Sequence, residues 1–201
     1  MVQQITLNLS AIAAEDSPWV IAAIKEEQYL KICEDNPDLK LELDQYGTLI
    51  VMPPTGGITG DRNAEITYQL RAWNKQRKLG KVFDSSTEFK LPNGAFRSPD
   101  AAWISLERWN GLTLIEQEKF PPLAPDFVIE LRSRSDRIKP LQDKMQEYIT
   151  NGVRLGWLID PQNRQVEIYR LGQSVEILSS PTFVSGEDVL LEFILDLNEI
   201  W

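Results

Sequence analysis

Residues 125–161, PDFVIELRSRSDRIKPLQDKMQEYITNGVRLGWLIDP, read as a strand, a helix and a second strand. Asp126–Leu131 is a nearly continuous apolar run that ends in charge, which suits a central strand covered on both faces. Ser133 to Asp136 offers helix N-cap residues, and the spacing predicts a helix from about Lys139 to Thr150 with Asn151-Gly152 as its stop. Val153–Ile159 is a further strand, followed by a turn at Asp160-Pro161-Gln162-Asn163. This length and pattern predict a right-handed crossover between two parallel strands.

Upstream, Lys81–Lys90 and Ser98–Ser105 read as strands joined by a turn at Pro92-Asn93-Gly94. Before them, Ile58 to Leu79 predicts a long helix, in which Ile66, Leu70 and Trp73 fall within a stripe of about 60° and Glu65 lies on its edge. Residues 39–52 read as a hairpin broken at Tyr46-Gly47. Leu39, Leu41 and Leu43 share one face, and Leu49 to Met52 is expected to be more deeply buried. A helix over 19–35 stops at Asn36-Pro37.

Downstream of the crossover, a hairpin (Gln165–Arg170, Val175–Leu178) precedes an acidic-apolar tail, Val189–Trp201. Glu116–Pro125 reads as a wet, proline-rich connection. The expectation is an α/β protein with a mixed sheet flanked by helices. Its parts are a helical extension over 1–38, a core over 39–170, and a C-terminal hairpin and tail over 171–201 packed on that core as a single domain.

Composition removes several chemistries. The 201 residues include no histidine and one cysteine, so no Ser-His-Asp triad, Cys-His dyad or imidazole-ligated zinc or haem site can form. A lone cysteine forms no intrachain disulfide, which fits a reducing compartment. Any metal must be held mainly by oxygen, which favours a hard cation such as Mg²⁺, Mn²⁺ or Ca²⁺. No secretory signal or apolar run of membrane-spanning length is evident, so a cytoplasmic location without membrane association is expected.

The net charge is −9, at first sight an argument against nucleic acid. Residues 61–97, however, hold eight basic and four acidic side chains, a local +4 that leaves −13 for the remainder. A basic segment leading into a site can contact phosphates in an acidic protein.

Four charged residues occupy contexts that usually exclude charge: Glu65, Asp100, Glu130 and Lys144. Each has an ordinary reading. Asp100 suits a turn after proline, Glu130 a solvent-facing strand end, Lys144 a snorkelling surface lysine and Glu65 a solvated helix position. A buried Glu130 requires a cation beside it, either Arg132 or Lys144, or a metal ion shared with Asp100.

Ser98-Pro99-Asp100 with its apolar strand, the string Pro125–Asp136, Lys144 with Tyr148, Gly152-Val153 and Trp157–Pro161 together carry a resemblance. The sequence resembles the PD-(D/E)XK nuclease superfamily, in particular the Uma-type restriction-endonuclease family common in cyanobacteria. The resemblance spans roughly Leu39 to Arg170. It implies a restriction-endonuclease-like core around one metal site for Mg²⁺ or Mn²⁺. Asp100 and Glu130 match its acidic ligands, the backbone carbonyl of Leu131 a third, and Glu65 could match an acidic residue that some members place on the preceding helix. The sequence departs from the motif where its lysine is expected, because Arg132 stands there and Lys144 is the spatial replacement.

The implied reaction is metal-dependent hydrolysis of DNA phosphodiester bonds. Lys144 would orient water, and Arg132 would contact phosphate or pair with a carboxylate; arginine stays protonated and cannot serve as a base. The alternative is a nuclease-like module that has lost catalysis and serves in binding or assembly, and hydrolysis or ligation of another phosphate ester remains a third possibility, without a Walker-type loop to support nucleotide use. Cutting a duplex favours a homodimer, and Trp109 and Trp201, read as exposed, with Pro121-Pro122 hint at a self-association surface.

Overall fold

The computed structural model describes residues 23–201. The chain runs through α1 (Glu26–Asp35), β1 (Lys40–Leu43), β2 (Leu49–Met52), α2 (Gly57–Arg77), β3 (Gly80–Asp84), β4 (Phe89–Lys90), β5 (Phe96–Arg97) and β6 (Ala101–Ser105). It continues through α3 (Leu106–Asn110), α4 (Leu114–Glu118), β7 (Phe127–Leu131), α5 (Ile138–Thr150), β8 (Leu155–Asp160), β9 (Gln165–Arg170), β10 (Glu176–Ser179), β11 (Phe183–Ser185) and β12 (Ile194–Asp196). The fold is α/β, as expected from the sequence. The part of the predicted first helix before residue 23 lies outside the described residues.

The principal sheet has the order β10-β9-β8-β7-β6-β3. β7 and β8 run parallel, from Phe127 opposite Leu155 to Leu131 opposite Ile159, with α5 between them in sequence. The other neighbours in this sheet are antiparallel. Alternation along β7 divides its side chains between two layers. Phe127, Ile129 and Leu131 join Ile66 and Leu70 of α2 and the tail residues Phe193, Leu195 and Ile200. Val128 instead packs with Met145, Tyr148 and Ile149 of α5. Gly156 allows this close approach, since a Cβ there would come within 2.5 Å of the Met145 methyl group.

A second sheet, β2-β1-β5-β4, carries a core of its own in which Tyr29 and Ile32 of α1 meet Leu41, Leu43 and Phe96. The chain passes from this sheet to the principal one through Ser98-Pro99-Asp100, between β5 and β6.

Several expectations are corrected. The predicted strand over 81–90 is two strands in different sheets, β3 and β4. β2 is the edge of its sheet and only half-buried, whereas Leu41 to Leu43 of β1 is buried. Ser133–Asp136 does not cap α5, whose N-cap is Arg137 and lacks a side-chain cap bond. Two short helices, α3 and α4, occupy the stretch leading into the proline-rich connection, and the tail forms a two-stranded ribbon, β11 with β12.

Trp73 is only partly buried, and Asn74 lies deeper. The Asn74 amide accepts from the Gly80 N–H and Trp103 Nε1 and donates to the Gly80 carbonyl, so one polar side chain ties α2 to β3 and β6. Trp109 and Trp201 are not free surface. Trp109 packs on Phe83 with ring centroids 5.2 Å apart, and Trp201 donates to the Pro181 carbonyl. Among the described residues no helix is long and apolar enough to cross a membrane.

Candidate active site

The site forms where the two sheets meet. β6 and β7 pair with Ala101 opposite Ile129, and continuing that register by one residue sets Asp100 opposite Glu130. Directly opposed residues share a face, and like charges there repel. The alternation that sends Ile129 towards α2 sends Glu130 towards α5. There Glu130 Oε1 accepts from Lys144 Nζ at 2.8 Å and from the Tyr148 hydroxyl at 3.0 Å. Lys144 and Tyr148 lie one helical turn apart, so a single face of α5 supplies both donors.

Asp100 is held by other groups. Its Oδ2 accepts from the Leu131 N–H at 2.8 Å and its Oδ1 from the Asn63 amide at 3.2 Å. The Leu131 N–H thus holds Asp100, leaving the expected role of the Leu131 carbonyl untouched by this bond. Asn63 also has a buried Oδ1 with no hydrogen-bond partner.

Glu42 of β1 completes the cluster from the second sheet. Its carboxylate accepts from Lys144 Nζ at 2.8 Å, from the Ser98 N–H at 2.9 Å and from Arg97 at 3.2 Å. Arg97 also donates to Glu147 at 2.6 Å. A cleft of about 780 Å³ is lined by Lys40, Glu42, Arg97, Asp100, Glu130 and Lys144.

The electrostatics follow from burial and pairing. Burial pushes the Glu130 carboxyl up to about 7, against the pull of Lys144 and with Asp100 and Glu42 adding to the rise. Burial likewise raises Asp100, partly offset by the Leu131 N–H. Burial also works against the charged form of Glu42, but Lys144 and Arg97 overcome it and hold this carboxyl below its ordinary range. Lys144 shows the mirror case. Burial alone would lower it, yet Glu130 and Glu42 hold it above the usual lysine value, so the ammonium stays charged. Carboxylates (Glu42, Asp100, Glu130, Glu147) outnumber the two cations that pair within this cluster, leaving a surplus of negative charge.

The residues expected from the sequence divide into two groups. Asp100, Glu130, Lys144 and Leu131 come together. Arg132 does not join them: it pairs with Asp160 at 2.7 Å and donates to the Asp136 carbonyl at 3.2 Å. Burial pushes the Asp160 carboxyl up, but the hydrogen bonds from Arg132 and Asn163 hold it below the ordinary range. Glu65 also stands apart. It accepts from Gln69, which is bound in both directions to the backbone of Asp196 in the tail. Helical geometry explains the difference, since Asn63 and Glu65 lie about 200° apart around α2.

Three residues escaped sequence reasoning. In Leu41-Glu42-Leu43 the glutamate reads as the solvent side of an alternating strand, and only the neighbouring sheet buries it. Arg97 had a signal, because it directly precedes Ser98-Pro99-Asp100. Asn63 had none beyond its position on the long helix.

The donor set suits a hard cation. Among the described residues no three acidic or thiol side chains converge with metal-binding spacing. Two carboxylates and an unpartnered neutral oxygen are nevertheless what Mg²⁺ takes, since it binds through one or two carboxylates and keeps several waters.

A family model, Uma2, described as "Putative restriction endonuclease", matches residues 26–198. Among solved structures, the chain is similar to "a putative nuclease belonging to DUF820" from Anabaena variabilis, with a TM-score of 0.72 and 21% identity over 87% of this chain and 95% of that one. That likeness concerns the fold. No curated protein matches the chain.

Proposed function

The chain belongs to the Uma2 family of restriction-endonuclease-like proteins, and from that premise we propose that it hydrolyses DNA phosphodiester bonds with a divalent cation, Mg²⁺ or Mn²⁺. The observation that carries this reading is the placing of Asp100 opposite Glu130, beside the unpartnered Asn63 Oδ1, within a cluster whose carboxylates outnumber its cations.

Asp100, Glu130 and the Asn63 oxygen would hold the cation. When bound, the cation supplies positive charge that acidifies water and neutralises a phosphate oxygen. The protein groups then have separate tasks. The Leu131 N–H and the Asn63 amide fix the orientation of Asp100. Tyr148 and Lys144 fix Glu130. Lys144, kept protonated by Glu42 and Glu130, acts as a positive donor that orients water or stabilises charge on phosphate; it is not the base. Arg132 supports the site from behind by holding Asp160 and the turn at Asp136.

The test is cleavage of circular single-stranded DNA and of supercoiled plasmid in Mg²⁺ or Mn²⁺. The reading expects cleavage by the wild-type chain, loss on chelation, and loss in Asp100→Ala and Glu130→Ala. Cleavage that persists undiminished in both variants contradicts it.

A second reading, a nuclease-like module without catalysis, draws on one observation: Lys144 is tied to two carboxylates and no other side chain in the cluster stands as a free base. It expects no calorimetric Mn²⁺ binding that depends on Asp100.

A further inference from the structure

We propose that the groove along α2 beside Asp100 binds a single strand of DNA, with the Tyr68 ring stacking on an unpaired base and Arg71 and Lys75 contacting phosphates. This rests on the nuclease reading above and names the form of its substrate.

A groove of about 860 Å³ runs along α2, lined by Tyr68, Arg71 and Lys75, with Ser85 on the facing wall and Asn63 and Asp100 in the same lining. On a helix, residues 64, 68, 71 and 75 fall within about 60° and span roughly 16 Å. This track therefore leads directly to the proposed catalytic carboxylate.

Tyr68 is 66% exposed and has neither a ring partner nor a hydrogen bond for its hydroxyl among the described residues. The buried face of α2 is supplied by Ile66, Leu70 and Asn74, so folding gives no reason for an aromatic ring on the opposite side. Arg71 and Lys75 are exposed and form no ion pair among the described residues, unlike Arg77, which pairs with Glu192. An aromatic ring with cations at one-turn spacing is a pattern that binds a strand through base stacking and backbone charge.

Two observations favour one strand over a duplex. Bases in an intact duplex are stacked on each other and offer no free face to a tyrosine. In addition, the cations that line this groove, Arg71 and Lys75, both lie on α2. The adjoining cleft carries seven carboxylates against four cations, a surplus of negative charge that disfavours a second phosphate chain beside the groove. Only one carboxylate other than Asp100, Asp84, lines the α2 groove, and it is engaged by Ser86.

The test is fluorescence anisotropy with the full chain in chelator, using a labelled single strand of about 20 nucleotides and the blunt duplex of the same sequence. The single strand is expected to bind at least about fivefold tighter, with Tyr68→Ala losing about fivefold or more and Tyr68→Trp retaining affinity. Arg71→Gln and Lys75→Gln should each flatten the salt dependence. A duplex bound as tightly as the single strand, or a folded Tyr68→Ala that binds the strand unchanged, overturns the proposal. Thermal melting checks that the variants are folded. Tyr68-dependent strand binding without Mn²⁺-dependent cleavage would remove the nuclease reading and leave this one; cleavage with Tyr68-independent binding would do the reverse.

Discussion

Lys144 Nζ lies 2.8 Å from Glu130 Oε1, and the same ammonium lies 2.8 Å from Glu42 Oε1. One cation on α5 thus joins the principal sheet to the second sheet. Breaking a buried pair by removing one partner costs about 3–5 kcal/mol, because the remaining charge stays buried without compensation.

Lys144→Met should therefore destabilise the protein by about 3–5 kcal/mol near pH 8 in chelator. Without the ammonium, Glu130, already raised to about 7, rises further, and Glu42 loses the larger of the two cationic pulls that hold it down and rises as well. Their protonated forms are tolerated, so the deficit shrinks below the unfolded carboxylate range and grows as pH rises through the new folded values. Urea melts at pH 5 and pH 8 read this directly, and a deficit independent of pH would contradict it.

Arg132 pairs with Asp160 and donates to the Asp136 carbonyl, contacts that assign it a structural part in the proposed reaction. Arg132→Gln leaves Asp160 without its guanidinium and should cost about 1–3 kcal/mol of stability. Cleavage by the folded fraction should fall far less than the ~10²–10³-fold expected on removal of a donor to the transition state. Kinetics paired with melting curves separate the two roles.

Glu88 gives a pH signature outside the proposed catalytic cluster. It accepts from the Tyr29 hydroxyl at 2.5 Å, and burial pushes its carboxyl up to about 7. A carboxyl raised on folding contributes stability that is full below its unfolded pKa and is lost as pH rises through the folded one. The contribution is roughly 3 kcal/mol, fading between about pH 4.5 and 7. Glu88→Gln should keep a partner for Tyr29 and flatten that part of the stability profile, as measured by urea melts across this range.

The β7–α5–β8 unit was legible because each of its elements is buried along a whole face or both faces, so apolar runs and helical spacing register directly in the sequence. Asp100 and Glu130 were legible for the converse reason: charge at buried strand positions is costly and demands a partner. Glu42 was not, because its own strand alternates normally and its burial comes from groups distant in sequence. The β11–β12 ribbon was equally hidden, since Phe183 and Ile194 are exposed and each strand has three residues, too few for a period to stand out. Trp109 misled as a surface hint because it lies on the short helix α3 and its packing partner, Phe83, sits on β3, distant in sequence.

The central claim is that Asp100 and Glu130 share a divalent cation. Anomalous diffraction from a crystal soaked in Mn²⁺ tests it most directly. The account predicts a peak between the two carboxylates, within coordination distance of Asn63 Oδ1, that disappears in Asp100→Ala. A fully soaked crystal with Mn²⁺ bound elsewhere and none between Asp100 and Glu130 would contradict it.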